Sequence, residues 1–419
     1  MMKILIITYY WPPSGGAGVQ RWLKFARYLP EYGIEPVILT VDPEYATFPA
    51  IDLTLEKDMP EIVKVYKTKA SDYYSLLGKN KKGIPSAGFA NNPNSSFKGK
   101  IQRFIRGNFF IPDPRKGWNK YAIKKASELI REFGIKNVIT TSPPHSSQLI
   151  GLKLKQRFPD INWIADFRDP WTDIYYYDQF YPTPVSKFID RRYEKMVIRN
   201  CDSLITVGPS LKNSLAHKTR GSSEKINVIT NGYDENDFTG DVEKTSNKLL
   251  ITYTGTLSDM YPMTGFLSSI RELEQKGYDY LLRFIGSVHD ARKLGLKSAV
   301  KNVQFFDYAD HQTAIRYMRE STVLLLIIPL HPGNRSILTG KLFEYLATGN
   351  PVLCLGPVDG DVAEILRETG NGQVFSYNDT PGIVDFLERS AKKPENRPAP
   401  SEYNRNYLTG KIVKLLKTG

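Results

Sequence analysis

The sequence has little cysteine and no long apolar run. Its 419 residues include two cysteines, Cys201 and Cys354, whose spacing does not match a metal site, and we expect both to be reduced residues of the core. The longest aliphatic run, residues 323–330, is far shorter than a bilayer span, and the run at residues 4–7 is too short for a signal peptide. These absences argue against a disulfide scaffold, a membrane-spanning protein and a secreted protein.

Acidic residues are scarce in one stretch of the chain. Between Lys64 and Lys136 there are 17 Lys and Arg against four acids, whereas the remainder has 40 of each, so the whole net charge of +13 lies here. Such a field attracts nucleic acid, acidic headgroups or lipid phosphates, although a solvated basic surface gives the same composition. Residues 71–117 are also rich in Gly, Asn, Pro and Ser, and we interpret them as a long functional excursion with short helices.

Outside this excursion, short apolar runs alternate with amphipathic segments, which is typical of parallel sheets flanked by helices. The alternation occurs twice, so the sequence predicts an α/β protein with two Rossmann-like, doubly wound domains facing a cleft. The predicted domains are residues 1–235, which include the basic excursion 64–136, and residues 236–400, with a helix in 401–419 that returns to the first domain. The predicted strands cover residues 3–8, 36–41, 137–141, 162–166, 204–207 and 226–230, then 249–253, 280–285, 303–306, 322–328, 352–355 and 373–377.

A glycine-rich loop follows the first predicted strand. Gly15, Gly16 and Gly18 open the next helix, where glycine lets the backbone approach a ligand and free N–H groups favour an anion such as phosphate. The spacing is not that of the dinucleotide fingerprint. A tight strand-to-helix turn would account for the same three glycines.

A second helix start combines a cap, a cation and an acid. Thr339 is a plausible N-cap, Gly340 follows it, and Lys341 and Glu344 share one face of the helix. Lys341 offers a compact positive charge to a diphosphate, and the carboxylate of Glu344 can accept two hydrogen bonds from ribose hydroxyls. The alternative interpretation is a surface ion pair between these two side chains.

The motif Lys-x-x-Glu-Tyr-x-Ala-x-Gly-x-Pro-Val at residues 341–352 resembles the donor-site signature of the GT-B glycosyltransferases, specifically the retaining family 4 group, which includes transferases of bacterial surface polysaccharides. The segments 15–18, 226–234, 253–256 and 362–366 agree with this resemblance. Two positions depart from the family pattern, because Ser336 replaces a frequent glutamate and Thr256 a frequent arginine. The resemblance implies donor binding by Gly15, Gly16, Gly18, Gly255, Thr256, Arg335, Thr339, Gly340, Lys341 and Glu344.

Polar side chains also follow two strands of the first half. His145 comes after one, and Asp166, Arg168 and Asp169 lie at the end of the next, so they should project from the same edge of the sheet. Burying charged side chains at the end of an apolar strand costs free energy unless they bind a partner or a ligand. We predict that these four residues are catalytic, holding acceptor hydroxyls and stabilising the leaving phosphate. For His145, a purely loop-bonding role is the alternative.

The resemblance implies a metal-independent hexosyltransferase without a cofactor. It would move a sugar from a UDP- or GDP-sugar, with retention, to a saccharide or polyprenyl-linked acceptor in cell-surface polysaccharide or lipopolysaccharide biosynthesis. The basic excursion, with Phe104, Phe109 and Phe110, predicts a cytoplasmic protein that contacts an anionic membrane at its inner face. The alternatives are a sugar-nucleotide epimerase or hydrolase of the same fold and a nucleic-acid-binding protein. We do not expect the latter, because no recognised fold motif for that role appears.

Overall fold

The computed structural model describes residues 1–71, 73, 97–219, 223–240, 242, 248–307, 309–392 and 396–417. The chain divides into two compact units, the first formed by Met1–Thr230 with Arg405–Gly419 and the second by Asn231–Asn404. Each unit is a parallel sheet with helices, so the predicted α/β class with two doubly wound halves is confirmed. No helix among the described residues is long and apolar enough to cross a membrane.

The strands of the first unit are β1 (Met2–Ile7), β2 (Ile34–Val41), β3 (Lys64–Thr68), β4 (Asn137–Ser142), β5 (Asn162–Phe167), β6 (Ser203–Thr206) and β7 (Ile226–Val228). Within the described residues they form one parallel sheet in the order β3-β2-β1-β4-β5-β6-β7. The order reverses direction between β1 and β4. In such sheets ligands bind beyond the carboxyl ends of the strands at this switch point.

Helices cover both faces of the first sheet, and this explains why residues 4–7 of β1 are apolar without interruption. Leu5 and Ile7 of β1 pack in the core that contains Trp118, whereas Ile4 and Ile6 pack in the core that contains Trp22. The helices of this unit are α1 (Ala17–Tyr28), α2 (Phe97–Phe109), α3 (Asn119–Phe133), α4 (Ser146–Arg157), α5 (Pro184–Asn200), α6 (Pro209–Thr219) and the last helix of the chain, α13 (Arg405–Lys417).

The second unit repeats the plan. Its strands are β8 (Leu249–Thr254), β9 (Tyr280–Ile285), β10 (Val303–Phe306), β11 (Val323–Ile327), β12 (Val352–Leu355) and β13 (Gly372–Phe375). They lie parallel in the order β10-β9-β8-β11-β12-β13, so the switch point lies between β8 and β11. The helices are α7 (Thr264–Gln275), α8 (Asp290–Ala299), α9 (His311–Glu320), α10 (Gly340–Thr348), α11 (Asp361–Thr369) and α12 (Thr380–Lys392).

Three features differ from the expectation. The edge strand β3 was not predicted, because its sequence KVYKT alternates without a fully apolar side. The boundary between the units lies after Thr230, earlier than residue 235, since Tyr233 packs in the core of the second unit. Residues 71–117, expected to have short helices, include the 13-residue helix α2, and residues 72 and 74–96 lie outside the described residues.

Candidate functional site

The switch point of the second sheet carries most of the predicted donor residues. Gly255 and Thr256 follow β8, and Lys341 and Glu344 lie in the first half of α10, which connects β11 to β12. Thr339 is the N-cap of α10 and Gly340 its first residue, as the sequence predicted. The Thr339 hydroxyl makes no capping bond, and its Oγ1 is buried without a hydrogen-bond partner among the described residues.

The ammonium group of Lys341 lies directly over Gly255. A Cβ atom added at Gly255 would lie 2.4 Å from Nζ of Lys341, and the φ of +104° at this position also favours glycine. Lys341 stands over the ring of Tyr253 at 4.5 Å from its centroid and donates to the phenol oxygen at 3.3 Å. Burial lowers the pKa of Lys341 to about 8, and Glu344 opposes this shift. A half-buried cation with no carboxylate in salt-bridge contact among the described residues is suited to a phosphate.

Glu344 does not form a salt bridge with Lys341 in this structure. Its Oε1 lies 3.1 Å from Nε2 of His311, the first residue of α9, and both side chains are one-fifth exposed. Its Oε2 has no hydrogen-bond partner among the described residues. One carboxylate oxygen is therefore fixed by a neighbouring helix while the other remains able to accept a hydrogen bond.

Two predicted donor residues lie in exposed positions. Arg335 forms an ion pair with Asp359, at 2.7 Å between Nη2 and Oδ2, and both side chains are largely exposed. Thr256 is exposed, and its carbonyl accepts a hydrogen bond from the phenol of Tyr253 at 2.8 Å. In this conformation the guanidinium of Arg335 is engaged by a carboxylate, and its proposed contact with a donor stays a prediction.

In the first unit, the loops after β1, β4 and β5 lie together at the carboxyl edge of the sheet. The side chain of Arg168 joins all three, because it donates to the carbonyls of Gly18, Ser142 (2.9 Å) and Pro143 (3.1 Å). Gly18 is closely approached by this side chain, since a Cβ there would lie 3.1 Å from the Arg168 guanidinium and would push it away. The charge of Arg168 therefore organises this edge of the sheet through backbone contacts.

Asp166 is completely buried and fully bonded. Its carboxylate accepts hydrogen bonds from Arg21 at 3.2 and 3.3 Å, from the indole of Trp22 at 2.7 Å and from Thr141 at 2.9 Å. Arg21 also donates to the carbonyls of Ile229 and Thr230. A buried ion pair with this many hydrogen bonds fixes the strand ends, and the geometry gives Asp166 a positioning role.

Asp169 has the opposite environment. Its carboxylate forms no hydrogen bond with other described residues. Burial raises the pKa of Asp169, the neighbouring Arg168 lowers it, and Asp166 raises it further. An unbonded carboxylate in a partly buried loop is the kind of group that a substrate hydroxyl can satisfy.

His145 immediately precedes α4, and its ring stacks on Trp171 with 5.1 Å between centroids and 10° between planes. Burial lowers the pKa of His145 to about 4, so the imidazole is neutral at pH 7. The indole of Trp171 donates to Asp190 at 2.7 Å, and the phenol of Tyr177 donates to the same carboxylate at 2.9 Å. Asp190 thus anchors the loop that carries Asp169.

The other two glycines of the first loop have backbone roles. Gly16 is the N-cap of α1 and adopts a φ of +99°, which glycine tolerates. The N–H of Gly15 donates to the carbonyl of Ala50 at 2.9 Å, so this loop is tied to a neighbouring segment. Ser14 beside them is completely buried, with an Oγ that has no partner among the described residues.

Five residues that were not predicted from the sequence contact the predicted site residues or hold the elements that carry them: Tyr253, His311, Tyr345, Asp113 and Asp190. Tyr345 bonds the backbone and hydroxyl of Thr254 at 3.0 Å, which ties α10 to the end of β8. Asp113 bonds both the N–H and the hydroxyl of Ser146, which holds the start of α4. Tyr253 and Tyr345 stand inside motifs that the sequence showed. His311 and Asp190 have no local signal.

Comparison with known proteins shows a family to which part of the first unit is similar. Residues 80–237 match the model of Glycosyltransferase Family 4, and this segment includes His145 and residues 166–169. The resemblance to family 4 glycosyltransferases is confirmed. No curated protein is similar enough in sequence to be matched to the chain.

Three solved structures show the GT-B fold over the whole chain. A glycosyltransferase from Rickettsia africae has a TM-score of 0.59 and 14% identity, covering 100% of this chain and 98% of that one. The Anabaena protein HepE, in complex with UDP and glucose, has a TM-score of 0.61 and 12% identity, covering 100% of both chains. The UDP-GlcNAc 2-epimerase of Neisseria meningitidis, bound to UDP-GlcNAc, has a TM-score of 0.52 and 14% identity, again with 100% of both chains covered.

At these identities the structural likeness shows the fold alone, which transferases and an epimerase share. The family match is what supports glycosyltransferase activity. The matched segment does not include residues 341–352, the motif that resembles the donor-site signature. No group of three or more His, Cys, Asp or Glu side chains that could hold a metal ion occurs among the described residues.

Proposed function

We propose that the protein transfers a sugar from a nucleotide-diphosphate donor, UDP- or GDP-linked, to a saccharide or polyprenyl-linked acceptor, with retention of the anomeric configuration. The observation that carries the proposal is the cation of Lys341 held over Gly255, with Glu344 one turn further along the same helix. The cation and the N–H groups at the start of the helix can bind a diphosphate. The carboxylate oxygen of Glu344 that has no partner among the described residues can accept a hydrogen bond from a ribose hydroxyl.

In this proposal the second unit binds the donor. Lys341 and the backbone N–H groups at the start of α10 hold the diphosphate and stabilise the charge that develops when the glycosidic bond breaks. Glu344, fixed by His311, accepts from the ribose. The Thr339 hydroxyl, buried and unbonded, is available to donate to a phosphate oxygen.

We propose that the first unit binds the acceptor. Asp169 is the group that contacts an acceptor hydroxyl, because its carboxylate has no hydrogen bond within the described residues. Arg168 and Asp166 position it through their buried contacts, and neutral His145 offers a hydrogen bond without charge. A lipid-linked acceptor at the cytoplasmic face of a membrane, as in assembly of surface polysaccharide, is the acceptor class that the basic stretch of this unit favours.

Titration calorimetry with UDP-, GDP- and ADP-sugars tests the donor site. Lys341→Ala and Glu344→Gln should each weaken binding of the preferred nucleotide sugar by about 1.5–3 kcal/mol, the usual loss for a hydrogen bond to a charged group. Lys297→Ala, an exposed lysine of the same unit, is the control and should bind normally. Wild-type affinity in both site variants would place the donor elsewhere.

A further inference from the structure

The first unit exposes a set of large apolar side chains on two elements that are distant in sequence. They come from α2 and from the start of α5 with the turn before it, and their exposed fractions run from 42% to 79%: Phe97, Ile101, Phe104, Phe109, Tyr181, Val185 and Phe188. Single exposed apolar residues are normal on protein surfaces, but a contiguous group marks a binding surface.

Hydrogen bonds join the two elements into one surface. Asn108 of α2 donates to the carbonyl of Tyr181 at 3.0 Å and accepts from the N–H of Thr183 and the hydroxyl of Ser186, both at 2.8 Å. Gly107 packs against the backbone of Phe180, where a Cβ would lie 2.3 Å from the carbonyl oxygen. The rigid attachment means that α2 and the start of α5 present their apolar side chains together.

Three of the four exposed apolar residues of α2 lie on the same face as Asn108, and Phe109 does not. Phe97, Ile101 and Phe104 precede Asn108 by eleven, seven and four positions, which places all four on one side of a helix. The row of exposed side chains therefore runs along α2 and continues into Tyr181, Val185 and Phe188.

The charge around this surface is mainly positive, and the one exposed acid of residues 97–109 and 177–199, Asp178, is paired with Lys187 of α5 at 2.8 Å. The sequence of α2 contains no acid, and its exposed Lys100 lies beside the apolar row. On α5 the two acids, Asp190 and Glu194, are buried, whereas Arg192, Lys195 and Arg199 are exposed and continue the line of Val185 and Phe188 along the helix. Arg106 stacks over Phe180 with 3.9 Å between Cζ and the ring centroid.

We propose that the surface formed by α2 and residues 181–199 docks this protein on an anionic lipid bilayer. Aromatic and aliphatic side chains enter the interface, and the flanking cations contact acidic headgroups. A bilayer is the occupant that matches apolar side chains flanked by exposed cations, since the exposed acid of the adjoining turn, Asp178, is paired with Lys187. The proposal does not depend on glycosyl transfer, since binding to vesicles is measured without turnover.

Co-sedimentation with vesicles tests this surface in the full-length protein. Binding to phosphatidylglycerol–phosphatidylcholine vesicles should exceed binding to pure phosphatidylcholine vesicles and fall as salt increases. Phe104→Ser with Phe188→Ser should abolish most of the binding. Lys100→Gln with Arg192→Gln and Lys195→Gln should weaken it by about 100-fold, at about fivefold for each cation.

The second unit supplies the matched controls. Leu294→Ser replaces an equally exposed apolar residue, and Lys297→Gln with Lys301→Gln removes exposed cations there. These variants should bind vesicles like the wild type. All substitutions are at exposed positions, and thermal unfolding should confirm that each variant is folded.

A direct measurement of insertion completes the test. The fluorescence of a tryptophan introduced by Phe104→Trp or Phe188→Trp should be quenched by brominated lipid. The fluorescence of a tryptophan introduced by Leu294→Trp should not be quenched. Absence of binding to anionic vesicles at low salt would overturn the proposal. So would equal losses in the control variants, or a concentration-dependent dimer that Phe104→Ser disrupts, which would assign the surface to a second copy of the chain.

Discussion

Burial lowers the pKa of Lys341 to about 8, so this side chain titrates near neutrality when no ligand is bound. A bound diphosphate adds negative charge beside the ammonium and should raise that pKa. Affinity for a nucleotide sugar should then fall as the pH rises above about 8, and binding there should take up a proton. Calorimetry in buffers with different ionisation enthalpies measures this uptake directly.

Lys341→Arg provides the comparison, because a guanidinium keeps its charge over this pH range. The variant should show almost constant affinity between about pH 7 and 9 and no proton uptake. If the wild type and the variant have the same pH dependence, Lys341 does not contact the diphosphate.

Asp169 is expected to act on the acceptor and not on the donor. Asp169→Asn should lower kcat by about 100-fold, the lower end for loss of a group that takes part in proton transfer, while nucleotide-sugar affinity changes little. Asp160→Asn, at an exposed position of the same unit, is the control. A loss of donor affinity as large as the loss of turnover would contradict this assignment.

At the residue scale, features that lie within one turn of a helix can be predicted from the sequence. The spacing of Lys341 and Glu344 and the cap at Thr339 are local, and the structure has each at its predicted place. The actual partners of these side chains are not local. His311 contacts Glu344 only because α9 packs beside α10, and the ion pair between Lys341 and Glu344, the alternative interpretation of the sequence, is not formed.

The loop between β5 and α5 is the element that carries Asp169, and Asp190 holds it through Trp171 and Tyr177. Burial raises the pKa of Asp190 from 3.8 to about 6, so between these values the folded protein binds more protons than the unfolded chain. This group therefore makes stability fall as pH rises from about 4 to 6. For His145, whose pKa is lowered from 6.5 to about 4, the sign is opposite, and stability rises with pH.

These two contributions oppose each other in the wild type. Asp190→Asn should make the midpoint of thermal unfolding rise more steeply between about pH 4 and 6, and His145→Gln should make it rise less steeply or fall. Melting curves across this range measure both slopes. Unchanged slopes in either variant would show that the side chain does not titrate as its burial implies.

At the element scale, the fully buried strands were predictable and the edge was not. β11 consists of consecutive apolar residues and β1 ends in four of them, because helices cover both faces of their sheets. β3 lies at the edge of the first sheet, has exposed lysines at residues 64 and 67, and gives no comparable signal. The joint between α2 and residues 181–186 depends on tertiary packing through Asn108, and no spacing in the sequence indicates it.

At the scale of the whole molecule, two repeats of the same sheet order identify the fold but not the reaction. The same fold occurs in HepE of Anabaena and in a UDP-GlcNAc 2-epimerase of Neisseria meningitidis. The choice between transfer and epimerisation therefore depends on residues and not on topology. An unbonded Asp169 and a predominantly basic surface on the first unit are features that a separate acceptor would use.

One experiment decides between these activities. The protein is incubated with a nucleotide sugar labelled in the sugar, with and without a lipid extract that supplies acceptors. We predict that labelled sugar appears in the acceptor fraction in step with released nucleoside diphosphate, and that NMR of the product shows the donor's anomeric configuration. Asp169→Asn should slow both the transfer of label and the release of nucleoside diphosphate by about 100-fold. Label that remains on the nucleotide with altered sugar stereochemistry, or free sugar released equally without acceptor, would contradict the account.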